Sequence, residues 1–193
     1  MIDNNKVGKE WEDQIKQKFQ KLRSTVLVLD RGQGSCVDFY VYRKSSYQGG
    51  FLCEAKSVNV VGFDDEVKAQ ISTRNKKFWD SVGDIKHVRE HNYEHNRVEN
   101  SIREQLNKAL KQFNNSDLRV HKIEKEQKPF VVAIGFDFTI FPNEVNFDQL
   151  LQEHPLISAV LVLDSMQSDT KFKLCRNTSA QIQFDEDFLH RSW

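Results

Sequence analysis

The sequence predicts an α/β fold, a mixed central β-sheet flanked by helices with a helical insertion. Three observations predict it. A helical stripe opens the chain, with Val7, Trp11, Ile15, Phe19 and Leu22 on one face. Two β-prone runs follow, 35–42 and 50–57. Two nearly continuous apolar runs, 129–136 and 156–163, come later, as in strands covered on both faces of a sheet.

Each element can be justified in chain order. In the first helix, an advance of about 100° per residue puts Glu12 beside Phe19 on the flank of the apolar stripe. Asp13 falls on the opposite side. Residues 25–29 form a short β run, and 30–35 are rich in turn residues. The strands at 35–42 and 50–57 are joined by 43–49, with Gln48-Gly49-Gly50 as the expected hairpin turn, which makes an antiparallel meander. Residues 64–80 read as a helix anchored by Val67, Ile71 and Phe78, and 84–97 are polar and histidine-rich, so an insertion is expected over about 64–97. The cleanest helix is 98–113, carrying Val98, Ile102, Leu106, Ala109, Leu110 and Phe113 on one stripe. Asn114-Asn115-Ser116-Asp117 ends it with turn chemistry. A short helix at 148–152 joins the two late apolar strands in a βαβ-like step.

Composition bounds the function. A chain of 193 residues suits one domain spanning 1–193 and can bury a substantial core. Hydrophobic residues make up 38% and charged residues 29%, as in a globular protein. No apolar run approaches the roughly 18 residues of a membrane span, and no apolar signal core opens the sequence. A cytoplasmic location is expected. Cys36, Cys53 and Cys175 are odd in number and lie in apolar contexts, which suits small buried side chains in a reducing compartment. Net charge is zero, but its distribution is uneven. Residues 68–128 hold 14 basic and 9 acidic side chains, whereas 129–193 hold 4 and 9. The basic middle segment could face phosphates, or could consist of solvated helices of mixed charge.

The chemistry concentrates in the meander. Glu54 and Lys56 are two apart on a strand and therefore share a face. Asp38 stands within a β-prone run where Asp is disfavoured. Burying such a charge costs several kcal/mol unless a partner neutralises it. Two carboxylates and an ammonium converging between strands suggest a divalent-cation site with a lysine beside it, the chemistry of metal-assisted phosphodiester hydrolysis. The competing reading is a surface pair of Glu54 and Lys56, with Asp38 at a strand edge.

Gly8-Lys9-Glu10-Trp11-Glu12 on the first helix, Val37-Asp38-Phe39, and Cys53-Glu54-Ala55-Lys56-Ser57 stand in an order that resembles the PD-(D/E)XK, or restriction-endonuclease-like, nuclease superfamily. The likeness covers residues 6–113 by motif and 129–163 by strand pattern; Val37 stands where the motif name places proline. The resemblance implies a restriction-endonuclease-like core and a Mg²⁺- or Mn²⁺-dependent nuclease acting on nucleic acid, with DNA the expected substrate. Asp38 and Glu54 would be metal ligands, the Ala55 carbonyl a further one, and Lys56 the contact to attacking water and scissile phosphate. Glu12 would be the helix carboxylate near the metal. Family members also tend to carry a glutamine on the helix after the lysine strand; Gln70 and Gln105 are both candidates, and the apolar stripe favours Gln105. Arg74, Lys76, Lys77, Arg103, Lys108 and Lys111 are the expected backbone contacts.

Alternatives remain within and outside catalysis. The chain could be an inactive nucleic-acid- or protein-binding member of the fold, or a Holliday-junction-resolvase-like enzyme, and a homodimer is compatible with either. His87, His91 and His95 have the spacing of one helix face, but their neighbours read as solvated. Arg31-Gly32-Gln33-Gly34 reads as a turn, because no helix follows it directly.

Overall fold

The computed structural model describes residues 4–30, 36–58, 88–136, 145–164 and 172–190. Helix α1 (Asn4–Lys21) buries Trp11, Ile15 and Phe19, the stripe that its sequence defines. It stops where Arg23 enters the left-handed region at φ 57°, while the Ser24 N–H returns to Phe19 O at 3.1 Å. That wrap satisfies a carbonyl of the last turn.

The meander follows as β1 (Thr25–Val28), β2 (Phe39–Arg43) and β3 (Ser46–Val58). Two corrections to the sequence expectation matter. The hairpin turns at Lys44 and Ser45, with Arg43 opposite Ser46, and not at Gln48-Gly49-Gly50. Gly50 lies inside β3 because the Tyr40 ring occupies its side-chain space; an added Cβ would stand 2.6 Å from Tyr40 Cζ. Asp38 lies just before β2, in a bend, and not within the strand.

The long helix α2 (Val88–Asn115) connects β3 to β4 (Phe130–Phe136), which pairs parallel with β3. The backbone of 88–97 is continuous with this helix, so that part of the expected insertion is an N-terminal extension of α2. The helix expected at 64–80 lies outside the described residues. Helix α3 (Phe147–Gln152) carries the chain to β5 (Ala159–Asp164), parallel to β4, as the βαβ reading anticipated. Asn146 caps α3 by accepting the Gln149 N–H at 3.2 Å. Strand β6 (Lys173–Arg176), antiparallel to β5, and helix α4 (Asp187–His190) were not anticipated.

The described strands form one mixed sheet of six in the order β1-β2-β3-β4-β5-β6. Because side chains alternate along each strand, the sheet has two apolar faces. Phe39, Val41, Phe51, Cys53, Ala55, Val131 and Ala133 meet α1 on one side. Tyr40, Leu52, Val58, Val132 and Ile134 meet Ile102, Leu106, Ala109 and Phe113 of α2, with α3, on the other. Gly135 lets α1 approach closely, since a Cβ there would lie 2.3 Å from the Trp11 ring. Among the described residues no helix is long and apolar enough to cross a membrane. Cys36, Cys53 and Cys175 are unpaired.

Candidate active site

The site forms where the β2–β3 ladder ends. The last paired residues are Phe39 and Cys53. Beyond them Asp38 takes over with its side chain, and Oδ2 accepts the Ala55 N–H at 2.7 Å. The Asp38 N–H in turn donates to Glu54 Oε2 at 3.1 Å, and its carbonyl accepts from Leu29 N–H at 2.8 Å. An Asp whose carboxylate competes for backbone donors tends to end a strand, and β2 accordingly begins only after it, at Phe39. Glu54 is fully buried on the α2 side of the sheet. Lys56, on the same side, forms an ion pair with Glu54 Oε1.

The end of α2 completes the arrangement. Lys56 Nζ also donates to Gln112 Oε1 at 2.5 Å. One turn later, Ser116 Oγ donates to the Gln112 carbonyl at 2.7 Å and accepts the Val37 N–H at 2.9 Å. A single turn of helix therefore holds both the lysine and the segment that leads into Asp38.

Burial dominates the electrostatics. It pushes the Asp38 carboxyl up to about 7; the Ala55 N–H and Lys56 oppose the rise, and Glu12 and Asp30 add to it. Burial and the neighbouring Asp38 charge push Glu54 up to about 8, against the pull of Lys56. Glu12 is half-buried while Asp13 is exposed, as the helical geometry predicts. Its carboxyl is raised by burial and by Asp30, and lowered by Lys56. The four acids and one lysine thus sense one another, although among the described residues no three His, Cys, Asp or Glu side chains close around a single ion-sized point.

The donor set suits a hard divalent cation. Asp38 and Glu54 offer carboxylate oxygens, the ligand type that Mg²⁺ and Mn²⁺ prefer. Burial raises their proton affinity and Lys56 offsets the rise only in part, so an ion entering here would displace protons. An ion here would be held by these two side chains, with backbone oxygen such as that of Ala55 and water filling the remaining positions.

The other expected residues fall as follows. Gln105 is not the glutamine that meets Lys56; Gln112 is. The two lie seven residues apart, hence on nearly one helix face, but about 10 Å apart along the axis. Gln70, Arg74, Lys76 and Lys77 lie outside the described residues, as do His87 and Arg31-Gly32-Gln33-Gly34. His91 and His95 fall within α2. Arg103 grips Glu153 with Nε at 2.9 Å and Nη2 at 3.0 Å. Lys108 pairs with Glu104 at 2.7 Å. Lys111 is exposed on the same helix. Sequence reasoning missed Asp30, Gln112 and Ser116. The heptad spacing from Gln105 was the available signal for Gln112, and the turn after α2 for Ser116.

Comparisons with protein families, with curated proteins and with solved structures returned no match.

Proposed function

We infer that this chain is a metal-dependent nuclease that hydrolyses phosphodiester bonds in nucleic acid, with DNA as the expected substrate. One observation carries the reading. Asp38, Glu54 and Lys56 belong to a single hydrogen-bonded network at the end of one strand pair, buried where charge is costly. An ordinary surface ion pair would leave these groups in water.

Asp38 and Glu54 would hold Mg²⁺ or Mn²⁺, with the Ala55 carbonyl as a further ligand. When bound, the ion would supply a polarised phosphate and a water of lowered pKa. Lys56 contributes a fixed positive charge beside the reacting phosphate and stabilises the charge that builds on it. Gln112 restricts the Lys56 rotamers, and Ser116 steadies the approach to Asp38. Glu12 lies at the edge of the same field and would act through water or at a second ion. The order of elements supports the restriction-endonuclease-like reading: helix, antiparallel meander bearing Asp then Glu-Ala-Lys, helix, and two parallel apolar strands. Three unpaired cysteines suit a reducing cytoplasm.

The test is incubation with Mn²⁺ or Mg²⁺ across linear, nicked, single-stranded and branched DNA and RNA, with Asp38→Asn as control. Metal-dependent cleavage by the wild type, absent from the control, supports the reading. Binding without cleavage would point to a non-catalytic relative of the fold. Preference for four-way junctions by a symmetric dimer would point to a resolvase.

A further inference from the structure

The segment that follows α2 carries an exposed and tightly built tip. Leu118 and Ile123 are buried against the α2 side of the sheet and anchor its ends. Between them a 3-10 turn, Arg119–His121, is closed by two bonds. The His121 N–H donates to Leu118 O at 3.0 Å, and the Lys122 N–H donates to Arg119 O at 2.9 Å. Asp117 accepts the Arg119 N–H at 3.2 Å and holds the guanidinium through Nε at 2.9 Å. The Tyr47 hydroxyl donates to the His121 carbonyl at 2.9 Å and so ties the tip to β3. Tyr47 itself packs edge-on against Tyr40 and Tyr42.

Two features of this tip stand out. Val120 is 86% exposed at its apex, and among the described residues no other large hydrophobic side chain is as exposed. A single exposed valine is ordinary on a surface. This one stands between two exposed cations, Arg119 and Lys122, with His121 half-buried beside it. Lys122 adopts φ 55° and ψ 36°, the left-handed region that a Cβ disfavours and glycine accepts freely. Its N–H closes the 3-10 turn on Arg119 O, the same left-handed exit that Arg23 makes after α1, so the apex is held in one shape.

The tip is also close to the site by chain reach. Ser116 holds Val37 beside Asp38, and Val120 follows Ser116 by four residues, so their Cα atoms are within roughly 14 Å. Tyr47 holds the tip toward the hairpin end of β3, beside the site rather than over it, where only a substrate that extends past the carboxyls would meet it. Asp117 engages Nε and Nη2 of Arg119, which leaves Nη1 able to donate outward.

We propose that residues 117–122 form a duplex-binding wedge: Val120 enters a groove of double-stranded DNA, and Arg119 and Lys122 contact the phosphates on either side. This rests on the nuclease reading and adds a duplex contact to it. A small apolar side chain flanked by cations matches the wedge chemistry by which groove-binding proteins loosen a base step while gripping the backbone.

The experiment uses the full chain in EDTA, which prevents cleavage, with a short labelled duplex carrying 2-aminopurine at its centre. Val120→Asp is expected to weaken binding about tenfold and to abolish the 2-aminopurine fluorescence rise, with the melting temperature unchanged because the side chain is in water. Lys122→Gly is expected to melt at the same or a higher temperature, since glycine relaxes the backbone. It should nevertheless bind more weakly, with a log–log salt slope shallower by about 0.9. Equal affinity and slope in both variants, with the wild type still cleaving in Mn²⁺, would overturn the wedge alone. A wild-type dimer that Val120→Asp splits, with DNA affinity unchanged, would overturn it in favour of self-association. A wild type that neither binds nor cleaves any nucleic acid would overturn the nuclease reading, and the wedge with it.

Discussion

Asp38→Asn is expected to make the metal-free protein more stable at alkaline pH and to leave it nearly unchanged at pH 4. The carboxyl rises from 3.8 to about 7 on folding, mainly through burial. Between those values the folded state holds a proton that the unfolded chain releases. Stability is therefore fully present below about pH 4 and is lost as pH rises through 7. A rise of about three units corresponds to about 4 kcal/mol for an isolated group. Asp38 shares its surroundings with Glu54, itself raised to about 8, so one substitution should recover about half of that, about 2 kcal/mol. Asparagine keeps an oxygen that can accept the Ala55 N–H, so the ladder end survives. For a chain of this length the gain at pH 9 corresponds to roughly 4–8 °C in melting temperature. His154, lowered by burial, works in the opposite sense as pH rises through its range, but it cancels in the difference between wild type and variant. The assay is thermal or urea unfolding in EDTA at pH 4, 7 and 9, repeated with Mn²⁺. The ion should stabilise the wild type most at pH 9, where it no longer competes with protons, and should do far less for the variant. A wild-type-minus-variant difference that stays flat from pH 4 to 9 would refute the argument, because the carboxyl would then titrate alike in both states.

Three further outcomes follow from the same geometry. Lys56→Met should abolish cleavage, a loss of at least about 100-fold in kcat, and should raise the Glu54 proton affinity further; Lys56→Arg should not rescue it, because a planar guanidinium cannot take the place of an ammonium between Glu54 and Gln112. Steady-state kinetics on both variants checks this. Gln112→Ala should lower kcat while leaving the melting temperature within a few degrees, and Gln105→Ala should leave kcat unchanged, so equal effects from the two would remove the role given to Gln112. Gly135→Ala should destabilise by about 1–3 kcal/mol through overpacking, because its Cβ meets the Trp11 ring at 2.3–2.6 Å; urea unfolding measures the loss, and metal affinity should fall as well, since α1 carries Glu12 next to Trp11.

The elements most legible in the sequence were those whose burial is one-sided or complete. The α1 stripe and the last four turns of α2 follow from periodicity, and the cores of β4 and β5 from unbroken apolar runs that only a sheet covered on both faces can bury. The pair Glu54 and Lys56 was legible for the same reason, since period two puts both on the α2 side. Misreadings arose where a side chain competes with the backbone or packs across strands. Gly49-Gly50 looked like a turn, whereas Gly50 makes room for Tyr40 from the neighbouring strand. Strand β6 has only Leu174 and Cys175 as apolar residues, and such an edge strand leaves a weak pattern. Gln105 and Gln112 share a helix face, so periodicity could not choose between them. The choice depends on how far along α2 the end of β3 falls, which is a tertiary fact.

The ladder end explains why the acids persist. On the α2 side, Glu54 stands opposite Val132 and shares its strand face with Leu52, a setting in which an apolar residue would pack without penalty. Local consistency is broken where the β2–β3 pair ends at these acids, and such breaks tend to mark function. The break is also structurally supported: Ala55, Lys56, Gln112 and Ser116 each supply a hydrogen bond that holds Asp38, Glu54 or the chain next to them in register. A network that served only to satisfy stray charges would be simpler to remove than to build. If the site takes a cation, as proposed, the two dry carboxyls, both raised by burial and supported from helix and sheet, would give up protons to it, and this exchange links the stability measurement at position 38 to the proposed catalysis.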